Sequence, residues 1–287
     1  MSSKYEYIVS QVSSVPSGRI LVLAPHADDE VIGCGGTIIA HINKNNPVKI
    51  VILTDSSCGD YDGVFGKNYT MIHEEEAKEA ASALGVRDLE LWRYQDRKLK
   101  ADTGTVNRLK ELLEAYKPSA IYFPSFLEIH PDHTETCELV IKTLPLLKYN
   151  NFELYMYEVS MPLLPNIFIN ITPYLDAKIK ALSCYKTQLY YSNYIDKAVN
   201  LSRIRSRCSK SVIEYAEAFL KIDKKFATDY KKLFDALKDS ICDIKLENKW
   251  LFNNFPFLYC NKLWTLRQKI GKIRRKFHGI IHYYPDL

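Results

Sequence analysis

The sequence lacks the cysteine patterns that build disulfide frameworks or closed zinc sites. Its seven cysteines are odd in number and scattered, and no two of them form a CxxC pair. This distribution argues against a small disulfide-stapled scaffold and against a structural zinc ribbon. It is typical of reduced thiols, so we predict a cytoplasmic protein.

Long apolar runs are also missing. No stretch of about 18 apolar residues occurs, so no transmembrane helix is expected. The first 18 residues are polar and lack the apolar segment of a secretory signal. The 287 residues are 47% hydrophobic and 25% charged, which is ordinary for a globular protein with one large domain and an appendage.

Strands and helices alternate along the first half of the sequence. Buried strands are predicted at 19–24, 48–53, 89–92, 120–123 and 154–159, with helices at 33–43, 69–84, 103–116 and 131–147. This alternation indicates βαβ units, and therefore an α/β fold of the Rossmann-like three-layer type with a mostly parallel sheet. After residue 160 most of the chain is predicted to be helical. We predict an α/β domain at 1–221 and a helical C-terminal extension at 222–287.

The first strand is followed at once by Pro25-His26-Ala27-Asp28-Asp29-Glu30. The carboxyl ends of strands are where open α/β sheets bind ligands. Three carboxylates and an imidazole are unfavourable there unless a cation or a substrate uses them. The segment therefore predicts one half of a metal site.

The second half is His130-Pro131-Asp132-His133, after the fourth predicted strand. Proline is favoured at the first position of a helix, which puts His130 at the N-cap. Two imidazoles and one carboxylate with an open fourth position are typical of catalytic zinc. Spacing leaves open which of Asp28 and Asp29 binds the metal and which is the general base. It also leaves open whether His130 stabilises an oxyanion or protonates the leaving amine.

These two motifs resemble the signatures of the PIG-L/LmbE-like family, whose characterised members are zinc-dependent deacetylases of N-acetylglucosamine groups. The similarity covers roughly residues 18–221 and extends to the segments 31–37, 73–77, 178–182 and 215–219. The resemblance implies that His26, Asp29 and His133 bind zinc. It implies that Asp28 is the general base and that His130 is an electrostatic or acid partner.

The resemblance also implies two contacts to the substrate. Asp96 matches the acidic residue that contacts the sugar, and His73 stands where family members often have a sugar-binding arginine. The implied activity is hydrolysis of the N-acetyl group of an N-acetylglucosamine-type sugar by zinc-activated water, although iron or cobalt would also suit these ligands. The alternatives are an amidase that cleaves a non-acetyl amide of an amino-sugar or thiol conjugate, and an inactive sugar-binding or scaffold protein.

The C-terminal extension has a different electrostatic character. Residues 221–287 contain 15 Lys and Arg against 7 Asp and Glu. Apolar residues at spacings of three and four, with basic residues between them, predict a basic amphipathic helix at 262–281. Such a helix either docks on the catalytic domain or associates with an anionic membrane, which would place the protein at the inner membrane face. No nucleic-acid-binding fold accompanies the charge, so no nucleic-acid partner is expected.

Overall fold

A seven-stranded sheet forms the centre of the protein. The computed structural model describes residues 12–149, 151–163, 165–209 and 212–222. The strands are β1 Ile20–Ala24, β2 Val48–Thr54, β3 Asp88–Tyr94, β4 Ala120–Pro124, β5 Glu153–Tyr157, β6 Ile167–Asn170 and β7 Ala216–Ile222. Their order is β3-β2-β1-β4-β5-β7-β6. The pairs from β3 to β5 are parallel, and β7 pairs antiparallel with β5 and β6. The predicted mostly parallel sheet is confirmed, and β7 is a strand that the sequence pattern did not indicate.

Seven α-helices accompany the sheet in the described part of the chain. They are α1 Asp29–Asn43, α2 Tyr69–Ala83, α3 Thr103–Tyr116, α4 Pro131–Thr143, α5 Leu175–Leu182, α6 Lys186–Tyr191 and α7 Tyr194–Arg207. From β1 the chain passes through α1 to β2 and through α2 to β3, at one edge of the sheet. It then returns through α3 to β4, on the other side of β1, and continues through α4 to β5. Because crossovers between parallel strands are right-handed, the two pairs cover opposite faces. Helices α5 and α7 pack with α1, which completes the three-layer sandwich.

The central strands are apolar because both of their faces are covered. All five residues of β1 are fully buried, and β4 is buried along its whole length. Continuous branched and aromatic residues are typical of such strands, since neither face meets water. β1 and β4 are parallel neighbours, so the two motifs that follow them lie at the same edge of the sheet.

Helix α1 begins at Asp29, earlier than the predicted start at residue 33. Its first turn therefore contains Asp29 and Glu30, where carboxylates are favoured by the helix dipole. The backbone departs from helical geometry at Cys34, which has φ −146°. Just before this point α1 packs closely against the Tyr157 ring of β5. Gly33 allows this contact, because a Cβ at that position would lie 2.3 Å from the ring.

The sheet order creates a topological switch point. β1 lies between β2 and β4. The connection after β1 leads to β2 on one side, whereas the connection after β4 leads to β5 on the other side. Ligands of open α/β sheets bind in the crevice at such a point. The loops after β1, β2, β3 and β4 all reach this edge, and they carry the residues of both motifs.

The described residues include no helix that is long and apolar enough to cross a membrane. The predicted extension begins at Ile222, which ends β7. The rest of that extension, including the predicted basic helix at 262–281, lies outside the described residues.

Candidate active site

Three potential ligand atoms form a small triangle at the switch point. His26 Nδ1 lies 3.2 Å from Asp29 Oδ2 and 3.2 Å from His133 Nε2. The third side, from His133 Nε2 to Asp29 Oδ2, is 3.1 Å. Tetrahedral zinc with bonds of about 2.0–2.1 Å separates its ligand atoms by roughly 3.3–3.4 Å. These residues therefore fit a tetrahedral metal ion with little movement.

Two wider groupings of metal-binding side chains overlap this triangle. Atoms of His26, His130 and His133 lie within 4.8 Å of one another, as do atoms of His26, Asp96, His130 and Asp132. Backbone N–H groups donate to His130 Nδ1, to Asp132 Oδ2 and also to Asp29 Oδ2, so these hydrogen bonds do not distinguish between the groupings. The separations of 3.1–3.2 Å in the triangle of His26, Asp29 and His133 are close to those between the ligands of a tetrahedral ion.

Two further carboxylates orient the imidazoles. His26 Nε2 lies 3.2 Å from Asp132 Oδ2, and His133 Nδ1 lies 3.3 Å from Glu128 Oε2. A histidine that donates from this ring nitrogen to its carboxylate presents the other nitrogen to a metal. Glu128 is itself held by the backbone N–H groups of Val159 and Ser160. No role was predicted for Asp132 or Glu128, although Asp132 lies inside the second motif.

The charges of this cluster compensate one another. Burial alone would lower the pKa of His133, but Asp29 and Glu128 raise it to about 9. Burial would raise the pKa of Asp29, but His133 and His26 hold it well below its usual range. Metal binding displaces protons from such ligands. The site can therefore exchange imidazolium charge for a divalent cation.

Asp28 has a strained backbone. Its φ of 113° lies in a region that L-residues rarely adopt. It is the N-cap residue of α1, yet its side chain makes no capping hydrogen bond. Burial, and then the charges of Asp29 and Glu30, raise the pKa of the Asp28 carboxyl well above its ordinary value. A strained, buried carboxylate that is not used for capping is a feature of functional sites.

A buried network holds the turn that carries Asp28. Glu30 Oε2 accepts a hydrogen bond from the Asp28 backbone N–H at 3.1 Å, and the Tyr185 hydroxyl donates to Glu30 Oε1 at 2.5 Å. His73 Nε2 lies 3.1 Å from the Ala27 carbonyl oxygen, and its Nδ1 lies 3.1 Å from Glu76 Oε2. His73 is only 2% exposed. In this structure His73 stabilises the turn through its contact with the Ala27 carbonyl oxygen. Its predicted contact with the sugar stays a prediction.

His130 lies beside the triangle at the N-cap of α4. Its ring centroid is 4.5 Å from that of His26, and its Nδ1 accepts a hydrogen bond from the Asp132 backbone N–H. Burial, and then the charges of His26 and His133, lower the pKa of His130 to about 3. The ring is therefore neutral at pH 7. Because Nδ1 is an acceptor, the proton lies on Nε2, which can donate a hydrogen bond.

Asp96 reaches the same crevice from the loop after β3. Its Oδ2 accepts a hydrogen bond from the Cys58 backbone N–H at 2.9 Å. Its Oδ1 is buried, lacks a hydrogen-bond donor among the described residues, and lies 3.3 Å from His26 Nε2. A buried carboxylate oxygen with spare acceptor capacity suits a ligand hydroxyl. The structure thus brings Asp96 next to His26, and its predicted contact with the sugar stays a prediction.

Comparison with known proteins places both motifs within one matched segment. Residues 21–144 match the family model described as PIG-L, GlcNAc-PI de-N-acetylase. This segment runs from β1 through α4. It therefore contains the complete triangle, Asp28, His130 and Asp96.

Individual relatives extend beyond this segment. The chain is 28% identical over 216 residues to a probable N-acetyl-alpha-D-glucosaminyl L-malate deacetylase 2 of Bacillus anthracis, a match that covers 69% of this chain and 92% of that protein. It is 26% identical to the diacetylchitobiose deacetylase of Thermococcus kodakarensis, over 59% of this chain and 70% of that protein. A structure of N,N'-diacetylchitobiose deacetylase from Pyrococcus horikoshii, complexed with its inhibitor MPG, superposes with a TM-score of 0.66 at 25% identity. That superposition covers 72% of this chain and 85% of the other chain.

Proposed function

We propose that this chain belongs to the PIG-L/LmbE-like family, whose model matches residues 21–144, and that it is a metal-dependent hydrolase that removes the N-acetyl group from an N-acetylglucosamine-type sugar. The observation that carries the proposal is the triangle of His26, Asp29 and His133 beside the strained carboxylate of Asp28. Named deacetylases of such sugars among the relatives give it independent support.

His26 Nδ1, Asp29 Oδ2 and His133 Nε2 are the proposed metal ligands. Two imidazoles and one carboxylate favour zinc, with iron or cobalt as substitutes. A zinc ion bound there would lower the pKa of a water molecule to about 7 and polarise the acetyl carbonyl. Asp132 and Glu128 hold the two imidazoles in the tautomer that this ligation needs.

Asp28 is the proposed general base. Its carboxylate takes a proton as the water oxygen attacks the acetyl carbon, which forms a tetrahedral intermediate on the substrate. The raised pKa of Asp28 favours it in this role, because it can hold the proton after attack. Asp28 then gives the proton to the sugar nitrogen as the C–N bond breaks, so that acetate and the free amine are released.

His130 is the proposed donor to the oxyanion. Its neutral ring with the proton on Nε2 can donate a hydrogen bond to the carbonyl oxygen as negative charge develops there. A lowered pKa suits this role better than the delivery of a proton to the amine, because the ring carries no spare proton at neutral pH. Asp96, whose buried Oδ1 accepts no hydrogen bond among the described residues, is the proposed contact to a sugar hydroxyl.

The direct test is acetate release from N-acetylglucosamine and its conjugates, measured with the metal-loaded protein. We expect stoichiometric acetate and free amine, and we expect chelation of the metal to stop the reaction. Release of a longer acid from a non-acetyl amide, without acetate release, would instead indicate the amidase alternative. A protein that binds no metal and cleaves neither kind of amide would contradict the proposal.

A further inference from the structure

The peptide group between Ala27 and Asp28 is held at both of its polar atoms by buried side chains. Its carbonyl oxygen lies 3.1 Å from His73 Nε2, and because a carbonyl oxygen only accepts, His73 is the donor. Its N–H group donates to Glu30 Oε2, also at 3.1 Å. His73 and Glu30 belong to different helices, α2 and α1, and together they fix the plane of this peptide group. We refer to these two side chains as the peptide clamp.

The peptide group after Asp28 is fixed separately, by helix α1. The Asp28 carbonyl oxygen accepts the backbone N–H groups of Val31 at 3.0 Å and Ile32 at 2.9 Å. Since the peptide groups on both sides of the Asp28 Cα are fixed, the rotation between them is fixed as well, at φ 113° and ψ −31°. A strained L-residue persists only where the surrounding structure imposes its conformation. The peptide clamp supplies that constraint.

This conformation changes what the Asp28 side chain does. An aspartate at the N-cap of a helix ordinarily accepts a backbone N–H of the first turn. Asp102 does so at the start of α3, where it has φ −90° and ψ 180° and accepts the Thr105 N–H at 3.0 Å. Asp28 holds the same position in α1 and makes no capping hydrogen bond. The clamped backbone therefore keeps the Asp28 carboxylate out of capping and leaves it available for a proton.

Both halves of the peptide clamp are anchored at the start of α6. The Tyr185 hydroxyl donates to Glu30 Oε1 at 2.5 Å. The Thr187 N–H donates to Glu76 Oε1 at 3.0 Å, and the Thr187 hydroxyl donates to Glu76 Oε2 at 2.5 Å. The same Glu76 oxygen lies 3.1 Å from His73 Nδ1. Because these buried groups satisfy one another, the network is rigid and holds the clamp in one geometry.

The contacts of His73 favour a role through the backbone over a contact with the substrate. Its side chain is 2% exposed, and both ring nitrogens face protein atoms. One face of the ring stacks on Tyr69, with centroids 5.3 Å apart. Binding a sugar hydroxyl would require one of these contacts to break, whereas holding the Ala27 carbonyl oxygen uses them as they are.

We propose that His73 and Glu30 are positioning residues for the general base. They hold the Ala27–Asp28 peptide group in the plane that strains Asp28 and turns its carboxylate away from helix capping. This inference rests on the proposed function, because Asp28 is the base of that reaction. His73 and Glu30 act through Asp28 and do not touch the substrate.

The first test measures acetate release by the full-length, metal-loaded protein, with N-acetylglucosamine and its conjugates as substrates. His73→Leu removes the donor to Ala27, whereas His73→Gln keeps an N–H donor at a similar reach from the backbone. His41→Leu is the matched control, since His41 is also fully buried but lies in the last turn of α1. Bound zinc is counted for each variant.

We expect His73→Leu to lower kcat by about 100-fold with KM unchanged, because the base is misplaced while the substrate still binds. His73→Gln should recover most of this loss. His41→Leu should lose stability but keep its kcat, and every variant should retain stoichiometric zinc. A raised KM with unchanged kcat in His73→Leu would indicate a substrate contact and overturn the proposal. An equal loss of kcat in His41→Leu would overturn it as well.

Two milder variants keep the test informative if His73→Leu does not fold. Thr187→Val and Tyr185→Phe each remove one hydroxyl that anchors the clamp. Each should lower kcat by about tenfold, as expected for the loss of one buried hydrogen bond, and leave KM unchanged. Unchanged kcat in both variants would overturn the proposal.

A second measurement needs no turnover. Asp28→Gly should raise the midpoint of urea denaturation, since glycine adopts φ 113° without strain. The rise should be smaller in the His73→Leu or Thr187→Val background, because a weakened clamp lets Asp28 relax before it is replaced. A rise of equal size in all backgrounds, or no rise in any, would overturn the proposal.

Failure of the two proposals is distinguishable. If no substrate releases acetate but Asp28→Gly stabilises the unmodified protein more than the clamp variants, the deacetylase proposal fails and the clamp stands. If acetate is released and the clamp variants turn over normally, the clamp fails and the deacetylase proposal stands.

Discussion

Lys178 and Glu217 form a buried ion pair that is inserted into the backbone of α1. Lys178 Nζ donates to Glu217 Oε1 at 2.6 Å and to the Ile32 carbonyl oxygen at 2.8 Å. Glu217 accepts hydrogen bonds from the backbone N–H groups of Gly36 at 2.8 Å and Thr37 at 2.7 Å. In a regular helix the Gly36 N–H would bond to the Ile32 carbonyl. The pair therefore replaces the helical bonds lost at Cys34 and fixes the direction of the first turn, which carries Asp29.

The ion pair leads to a prediction about stability. Lys178→Met or Glu217→Gln should each lower the free energy of unfolding by about 3–5 kcal/mol, because each leaves a buried charge and backbone groups without partners. Urea denaturation measures this change. The double variant should be little worse than either single variant, since the two side chains act as one unit. Additive losses would mean that the residues act independently.

Asp28→Gly should raise stability while it abolishes turnover. Glycine tolerates φ of 113° without the strain that an L-residue carries, so the unfolding free energy should rise by about 1–3 kcal/mol. Asp28→Ala keeps the Cβ and the strain, and it is the matched control. Both variants should retain zinc and lose at least about 100-fold in acetate release. Turnover at the level of the unmodified protein in either variant would exclude Asp28 as the base.

The carboxylates behind the histidines should control metal affinity. Glu128→Gln should weaken zinc binding by about 10- to 100-fold, because Glu128 orients His133 through Nδ1. His133→Ala should abolish stoichiometric zinc. Glu138→Gln is a suitable control, since Glu138 pairs with Lys142 on the same helix. Competition with a chromogenic chelator measures the affinities, and equal affinity for Glu128→Gln and Glu138→Gln would refute the role of Glu128.

His41 should make stability depend on pH in mildly acidic solution. Its ring is buried between Tyr122 and Asn46, and burial lowers its pKa from 6.5 to about 3. Below pH 6.5 the unfolded chain binds a proton that the folded protein excludes. The contribution of His41 to the free energy of unfolding is therefore complete above pH 6.5. It decreases as the pH drops towards 3, by up to about 1.4 kcal/mol per pH unit.

The pH effect of His41 is isolated by difference. Urea denaturation of the unmodified protein and of His41→Gln is measured from pH 7 to pH 4. Carboxylates that titrate in the same range contribute equally to both proteins and cancel. The stability advantage of the unmodified protein should shrink as the pH falls, and a constant difference would show that folding does not shift the pKa of His41.

Much of the fold and of the candidate site could be predicted from local patterns. Each motif is a short segment after an apolar strand: His26 and Asp29 are three positions apart, and so are His130 and His133. The parallel sheet followed from the alternation of strands and helices, because each βαβ unit is encoded in contiguous sequence. Together these patterns were enough to predict that His26 and His133 meet at one edge of the sheet.

Other features depend on pairs of residues that are distant in sequence, and only the tertiary structure determined them. β7 is a strand because it pairs antiparallel with β5, whose residues lie about sixty positions earlier. Lys178 and Glu217 meet only because α5 and β7 both pack against α1. The contacts of the two aspartates also differ in three dimensions alone, since Asp29 faces both imidazoles and Asp28 takes the strained backbone. Sequence spacing specifies local geometry, whereas burial and long-range packing decide which charged side chains become partners.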